Sequence, residues 1–422
     1  MVDMIMVGQL GPAAITSIGL TVQPFLLLLS VFAAINVGTT TVVAWNIGAG
    51  KIKEARNVTR QIILANLVLG AMLTAVGIIM APQIVKFMGA RADTKDLAIG
   101  YFQIISAGLV FQGIAMGITA ALRGAGDTKI PMVYNVCSNI LNILGNYVLI
   151  YGKWGFPQMG VVGAAISTTI ARTLTCVAGL YVLYFWKGSK IALDLKNPFR
   201  INVAQIKQVF SIGIPAALEQ VILRGGLIIF SKIVSGLGTD IYAAHQIALD
   251  MNGLSFAPAM AFGVAATTLV GQSLGADDEK KAQAYATITH KLAMVIACLI
   301  GLMFIFFSHQ LARLYTTDLT VMAMAGTVLK IMALAQPGES TQLSLAGALR
   351  GAGDTVYPLI SSLVGIWIFR VMLAYIFVNI FHWGLIGAWV CMSLDQYVRA
   401  SIVYFRYRSG KWKRLRNDTL PA

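Results

Sequence analysis

Charge is what this chain has least of. Asp, Glu, Lys and Arg make up 12% of its 422 residues while 57% are hydrophobic, about half the charge of an ordinary soluble domain. Large soluble domains are thereby excluded, and the length leaves room for about a dozen bilayer-spanning helices of roughly 20 apolar residues each. Cysteine is scarce too: Cys137, Cys176, Cys298 and Cys391 stand apart within apolar stretches, so neither a disulfide framework nor a zinc site is expected. His245, His290, His309 and His382 show no metal-ligand spacing, and core or interface roles are expected of them. The charged start, short apolar run and small-residue cleavage site of a secretory leader are missing. Acidic residues number 17 against 32 basic ones, a formal net charge of +15. The basic residues fall mostly between apolar stretches and not on one aromatic-lined face, which favours a positive-inside bias and argues against a nucleic-acid partner.

What the chain has is a copy of itself. Leu122-Arg123-Gly124-Ala125-Gly126-Asp127-Thr128 recurs as Leu349-Arg350-Gly351-Ala352-Gly353-Asp354-Thr355, a displacement of 227. The same displacement pairs Gly48-Ala49 with Gly275-Ala276, Thr40 with Thr267, Leu10-Gly11 with Leu237-Gly238 and Pro131 with Pro358. After Pro131 a three-residue slip brings Gly160-Val161-Val162-Gly163-Ala164 onto Gly384-Leu385-Ile386-Gly387-Ala388.

Apolar length, read against Gly, Pro and charge, predicts helices near 1–10, 13–47, 57–88, 97–122, 130–151 and 161–186 in the first half. The second half is expected to hold helices at 203–236, 241–274, 282–315, 320–349, 356–381 and 384–405. The expectation is an all-α polytopic membrane protein with two pseudo-symmetric six-helix lobes: an N-lobe over 1–187, a linker over 188–202, a C-lobe over 203–408 and a basic tail over 409–422. Six crossings per half make the repeats parallel, related by an axis along the membrane normal, which is a transporter architecture with its site near mid-membrane. Counting Lys and Arg in loops and tail gives 21 on one side, among them Lys51, Arg123, Lys187, Arg350 and Arg406, against six on the other. That bias puts both termini in the cytoplasm and the protein in the cytoplasmic (inner) membrane. Ten residues cover about half of a 30 Å hydrocarbon core, so the first helix is expected to be truncated or to begin upstream.

A charge at mid-bilayer costs on the order of 3 kcal/mol, so acids in apolar stretches face a cavity or a partner. Five qualify: Asp3, Glu219, Asp250, Glu339 and Asp395. Coupling-ion or substrate binding is the functional alternative; a structural pair with Arg172, Arg224, Arg370 or Arg399 is the other. Asn135, Asn139, Asn142 and Asn146 fall on one face of the fifth predicted helix, either as a binding stripe or as interhelical hydrogen-bond glue. Gln112, and Gln23 beside Pro24, are secondary candidates for the same interior. The doubled Leu-Arg-Gly-Ala-Gly-Asp-Thr is expected to be a structural turn, because a phosphate loop needs a Gly-Lys-Ser/Thr ending and the dinucleotide fingerprint a third glycine. Without a nucleotide site, transport would draw on an ion gradient.

Val2-Asp3-Met4-Ile5-Met6-Val7-Gly8-Gln9-Leu10-Gly11, the doubled turn, Val270-Gly271-Gln272-Ser273-Leu274-Gly275-Ala276 and the segment Gly160 to Ala165 together resemble the multidrug and toxic compound extrusion (MATE) family, over the whole length. The resemblance implies a twelve-helix, two-lobed, V-shaped antiporter, not an enzyme, that exports amphipathic organic cations in exchange for H⁺ or Na⁺, with no cofactor and as a monomer. By position, Asp3 matches the family's first-helix carboxylate, which binds the coupling ion or substrate. Asn142 and Asn146 match an Asn-x-x-x-Asp pair, with Asn146 in place of its acid, and Thr168 resembles the sixth-helix threonine of the same site. Glu339 lies where some members place an Asp in a cation site, which would suit Na⁺. Glu219 lies one turn before the seventh-helix cation-site Glu of other members, whose position is held here by Leu223. Two alternatives stand beside the exporter: a flippase for lipid-linked precursors, and a non-transporting truncated remnant.

Overall fold

The computed structural model describes residues 6–90, 92–186, 188–193, 201–316 and 318–415. Asp3 and the first half of the first predicted helix lie outside the described residues. The described elements are all helical: α1 (Pro12–Gly48), α2 (Ile52–Ile79), α3 (Ala92–Ala107), α4 (Leu109–Gly124), α5 (Lys129–Tyr151), α6 (Gly160–Phe185), α7 (Val203–Ser235), α8 (Thr239–Gly275), α9 (Glu279–Phe306), α10 (Leu319–Gly351), α11 (Val356–Asn379) and α12 (Gly384–Arg408). Among the described residues nine helices are long and apolar enough to cross a membrane, and ten if the bent pair α3–α4 is counted as one span. At 25 residues α12 is long enough as well, since about 20 residues span the core, and it carries Asp395 and Arg399 within it.

Three helices expected to be continuous are broken. The fourth, predicted over 97–122, bends by 43° between α3 and α4. The break falls at Gly108, where a Cβ would press on the Thr169 side chain of α6; a glycine allows that approach and weakens the helix at once. The third, predicted over 57–88, stops at Ile79 and restarts as the short helix Ala81–Phe87, because Pro82 fits only a first turn. The ninth, predicted over 282–315, ends at Phe306 ahead of the short helix Ser308–Arg313. In α11 the stretch Leu363–Met372 is π-helical, a widening that apolar periodicity does not announce.

Helix ends follow their capping chemistry. Asp278 accepts from the Lys281 N–H at 2.9 Å to start α9, and Asp318 accepts from Thr320 and Val321 at 2.8 and 3.0 Å to start α10. The doubled turn closes twice in the same way: the Asp127 N–H donates to the Leu122 carbonyl and the Asp354 N–H to that of Leu349, both at 2.9 Å. Each crossing-over residue is a glycine at positive φ, Gly126 at 88° and Gly353 at 86°, the Schellman geometry that ends a helix without a Cβ penalty.

The chain divides into two compact units, Met1–Val43 with Lys51–Phe210 and Ala44–Gly50 with Ser211–Ala422. The division therefore falls inside α7 and not in the polar stretch before it, and the last turns of α1 go with the second unit. Phe25, Phe32, Phe102 and Leu109 centre one apolar cluster in the first unit; Phe230, Met251, Phe304, Leu329 and Trp389 centre one in the second.

The repeat is written into the packing of each unit. Thr40 donates from Oγ1 to the Ala120 carbonyl at 3.1 Å, and Thr267, 227 residues on, to the Gly347 carbonyl at 2.8 Å. After the slip, Thr175 bonds Ser138 at 2.7 Å just as Arg399, 224 residues on, bonds Ser362 at 3.1 Å. In the second unit Gly347 and Gly351 of α10 lie one turn apart against Gly263 and Thr267 of α8, so close that a Cβ at either glycine would strike backbone. Lipid tails are as apolar as leucine, so such crossings are held by close contact and short hydrogen bonds more than by the hydrophobic effect. Gly48 presses on the Gln272 backbone and Gly275 on that of Trp45, again a 227-residue pair, and the Trp45 indole donates to the Gly351 carbonyl at 2.8 Å.

Candidate functional site

Each unit holds a polar cluster within its spans. In the first unit it lies between α5 and α6. The stripe Asn135, Asn139, Asn142 and Asn146 grades from exposed to buried: Asn135 bonds back to the Pro131 carbonyl of its own helix at 2.7 Å, Asn139 is exposed, Asn142 is half-buried and Asn146 fully buried. Asn142 Nδ2 reaches Thr168 Oγ1 at 3.3 Å and Ser167 Oγ at 3.4 Å, while Ser167 donates back to the Asn142 carbonyl at 2.9 Å. Gly145 permits this approach, since a Cβ there would meet the Ser167 hydroxyl. The structure thus brings Asn142 and Thr168 together, with Asn146 one turn further along the same helix. Gln112 on α4 is half-buried and Gln23 on α1 exposed, and neither joins them. Arg172, two turns C-terminal of Ala165 on α6, lies over the Phe25 ring with 4.5 Å to its centroid.

In the second unit the cluster is ionic and spans α7, α8, α10, α11 and α12. The Arg350 guanidinium donates to both oxygens of Glu219 at 2.7 and 2.8 Å, and Ser362 adds a bond to the same carboxylate at 3.1 Å. Ser362 in turn accepts from Arg399. Arg370 pairs with Asp395 at 2.5 Å and lies over the Phe230 ring. Glu219, Asp395, Arg370 and Arg399 are all buried. For Glu219 and Asp395 the geometry realises the structural-pair alternative: each carboxylate already has its counter-charge. Glu219, expected as a coupling-ion or substrate residue, is held in a pair that joins α7 to the end of α10.

Glu339 differs. It sits near the middle of α10, buried, and its bond is to Asn252 Nδ2 of α8 at a long 3.4 Å. Of the four buried carboxylates in this unit, Glu219, Glu339, Asp354 and Asp395, it alone has no arginine bonded to it among the described residues. Asp250, two residues before Asn252, is exposed and does not enter the cluster. His245 is buried between the rings of Phe230, Tyr242 and Trp389 at 5.6 to 5.8 Å between centroids, the core role expected of it. His290 bonds the Ser344 hydroxyl at 3.1 Å.

Sequence reasoning missed Asn252, Ser167, Ser362 and the assignment of arginines to acids. A lone amide or hydroxyl in an apolar span was the available signal for the first three. The ion pairs join residues 131 positions apart in one case and 25 in the other, and no local pattern encodes such partners.

These polar interiors within long apolar helices are a transporter's furniture, and comparison with known proteins decides whose. The MatE family profile matches residues 1–148 and 215–376. The chain is 31% identical over 414 residues to a probable multidrug resistance protein NorM of Thermotoga maritima, an alignment covering 98% of this chain and 89% of that one. The chain belongs to the MatE family. It is a member of the multidrug and toxic compound extrusion transporters. An uncharacterized transporter of Bacillus subtilis, YisQ, is 28% identical over 97% of this chain and 90% of its own. Among solved structures, an outward-facing multidrug resistance MATE transporter of the MOP superfamily superposes with a TM-score of 0.91 at 24% identity, over 99% of this chain and 92% of that one. A MOP superfamily transporter from Pyrococcus furiosus, described as having a binding pocket of reverse polarity, gives 0.91 at 24% over 98% and 91%. These two likenesses establish the MATE fold. The MatE chain is thus a polytopic membrane transporter of the multidrug efflux class.

Proposed function

We propose that this MatE protein is an ion-coupled exporter of amphipathic organic cations, working as a monomer in the cytoplasmic membrane with both termini in the cytoplasm. The observation that carries the coupling part is Glu339, a buried carboxylate in mid-span whose hydrogen-bond partner is an amide and not a bonded arginine. An intramembrane acid of this kind marks an ion pathway by default. Its chemistry is competition: ionised, it contributes one negative charge to a low-dielectric interior, and a proton removes that charge and weakens the hold on a cationic drug. Asp3 is assigned the matching role in the N-lobe from the family resemblance, and Asn142, Asn146 and Thr168 form the polar wall beside it, with Asn139 and Gln112 as outlying members. The uncharged Asn146 leaves that lobe one acid, which favours a one-proton site there. H⁺ is the assigned coupling ion, and Na⁺ the alternative it is tested against.

The test is drug accumulation in cells stripped of their own efflux pumps. Cells expressing the protein should retain less of a fluorescent amphipathic cation such as ethidium than control cells, and Glu339→Gln should return them to control values at equal membrane expression. Equal accumulation with and without the protein would remove the exporter reading. Undiminished efflux by Glu339→Gln would remove Glu339 from it.

A further inference from the structure

Core packing accounts for the faces of the His245 ring but not for its nitrogens. The imidazole is fully buried, 5.6 Å from the rings of Phe230 and Trp389 and 5.8 Å from that of Tyr242 between centroids. Neither Nδ1 nor Nε2 has a hydrogen-bond partner among the described residues, and neither has the buried indole Nε1 of Trp389. Burying a donor or acceptor unpaired forfeits its bonds to water with nothing in return, which is why such groups in native proteins have a partner, either protein or ordered water. The inventory of donors and acceptors says what the partner is. A neutral imidazole offers one N–H donor and one acceptor nitrogen, and an indole offers one donor. An inorganic cation has no use for the two donors, and an anion cannot serve the acceptor. Water serves both. Because the two imidazole nitrogens lie on different edges of the ring, one molecule cannot meet both, and the box calls for a water on each edge. Two hydrogen bonds of roughly 2.8 Å each bridge a span on the scale of the His245–Trp389 separation, so the indole N–H can share one of those waters.

Two helices lead from this box to Glu339. On α8, Asn252 follows His245 by seven residues, two turns and therefore the same face, and its Nδ2 bonds Glu339. On α12, Gln396 follows Trp389 by the same seven residues. Its backbone lies against Gly338, the neighbour of Glu339, where a Cβ on the glycine would be 3.2 Å from the Gln396 carbonyl carbon. Gln396 is itself buried, and its Oε1 has no partner among the described residues. At a rise of 1.5 Å per residue these contacts place Glu339 about 10 Å from the box along the helix axes. Between His245 and Asn252 the same face of α8 carries Ala248, which is buried and has no atom past Cβ. Around the box α7 and α12 present Phe230 and Trp389, neither of them ionisable. The groups that carry or take up charge are Tyr242 on α8 itself and Arg370 of α11, which lies over the Phe230 ring and pairs with Asp395 of α12. No carboxylate is bonded to the imidazole among the described residues, so the box suits passage of a proton and not its storage.

We propose that the box of His245 and Trp389 is a buried water site, and that His245 relays protons through it to Glu339. The relay rests on the exporter reading; the water site does not. A proton taken from the water on one edge binds the acceptor nitrogen, and the proton already on the other nitrogen leaves to the water on the far edge. One N–H bond forms and one breaks, so the imidazole ends neutral, in its other tautomer, and returns to the first by tautomer exchange before the next passage. Trp389 holds the shared water in place through its indole N–H and gives up no proton.

The experiment uses the purified full-length protein with isotope-labelled histidine in lipid nanodiscs, read by NMR. The chain has four histidines, so the variant His290→Gln/His309→Gln/His382→Gln leaves His245 as the one labelled ring. Its N–H should exchange with water, and a ring N–H sealed from water overturns the proposal. In proteoliposomes His245→Phe, which keeps an aromatic ring and removes both nitrogens, should slow pH-driven ethidium flux by about 100-fold, the low end of what a positioned proton-transfer group contributes. Equilibrium binding of ethidium should keep its wild-type affinity and pH dependence, because a relay sets how fast Glu339 is reached and not how far it is protonated. Undiminished flux overturns the relay, as does loss of flux together with altered binding, which is what a packing role produces. If His245→Phe fails to fold, Trp389→Phe takes its place: it removes the indole N–H and should slow flux with binding unchanged, and undiminished flux there overturns the relay. Wild-type vesicles that move no drug would end the exporter reading instead, while the exchange measurement would still decide the water site.

Discussion

Breaking the Glu219–Arg350 pair separates an anchoring role from a coupling role. Glu219 is deeply buried, its side chain 2% exposed, and Arg350 at the end of α10 is 19% exposed. Replacing Arg350 by Met strands a carboxylate that keeps one bond, to Ser362. Removing one partner of a buried pair costs about 3–5 kcal/mol, and at roughly 2–4 °C per kcal/mol for a body of about 200 residues the melting midpoint should fall by about 6–20 °C. Glu219→Gln should cost less, because the Arg350 head can turn toward water and the amide still accepts from Ser362. The double variant Glu219→Gln/Arg350→Met should recover much of the loss, since replacing both partners removes the uncompensated charge. The assay is tryptophan-fluorescence melting of detergent-solubilised protein, with ethidium efflux measured per folded molecule. A Glu219→Gln protein that melts like wild type but no longer transports would refute the reasoning and return Glu219 to the coupling site.

Asn142→Ala and Thr168→Val should each lower efflux while leaving the melting midpoint nearly unchanged, because interhelical polar contacts in membranes average only about 0.6 kcal/mol; accumulation assays normalised to folded protein check this. Gly48→Leu and Gly275→Leu should each destabilise the second unit by about 1–3 kcal/mol or more, since both side chains would grow into backbone of the facing helix, read as loss of the monodisperse peak in size-exclusion chromatography. Asp3→Asn should insert normally and fail to confer resistance to cationic drugs, and wild-type resistance in cells expressing it would take the first-helix acid out of the coupling scheme.

Much of this architecture is legible without coordinates, and particular residues show where legibility stops. The 227-residue displacement pairs Thr40 with Thr267, and both hydroxyls bond across a helix crossing, to the Ala120 and Gly347 carbonyls. The ends of α1 were expected at 13 and 47 and lie at 12 and 48, set by Gly11 and by Gly48 with Gly50. The bend at Gly108 was not foreseen, because a glycine in an apolar run reads equally as a close contact or a break until the neighbouring Thr169 is known. The four asparagines share one face in sequence, yet that face grades into the α5–α6 seam, so Asn146 is buried, Asn142 half-buried and Asn139 exposed. Choosing which of five intramembrane acids is unspent required knowing which arginine each one meets. Among the described ones Glu339 and Asp250 meet no arginine, and of these two only Glu339 is buried; its amide partner Asn252 sits two residues from Asp250, the acid that sequence alone singled out on α8.

Under the proposed scheme a proton drives export. Proteoliposomes loaded with ethidium-binding nucleic acid and given a pH gradient in Na⁺-free buffer should move the dye against its gradient, while a Na⁺ gradient at uniform pH should move none, and Glu339→Gln should abolish the pH-driven flux. Transport that runs on the Na⁺ gradient alone and is lost in Glu339→Gln would contradict the account and make Glu339 a Na⁺ ligand.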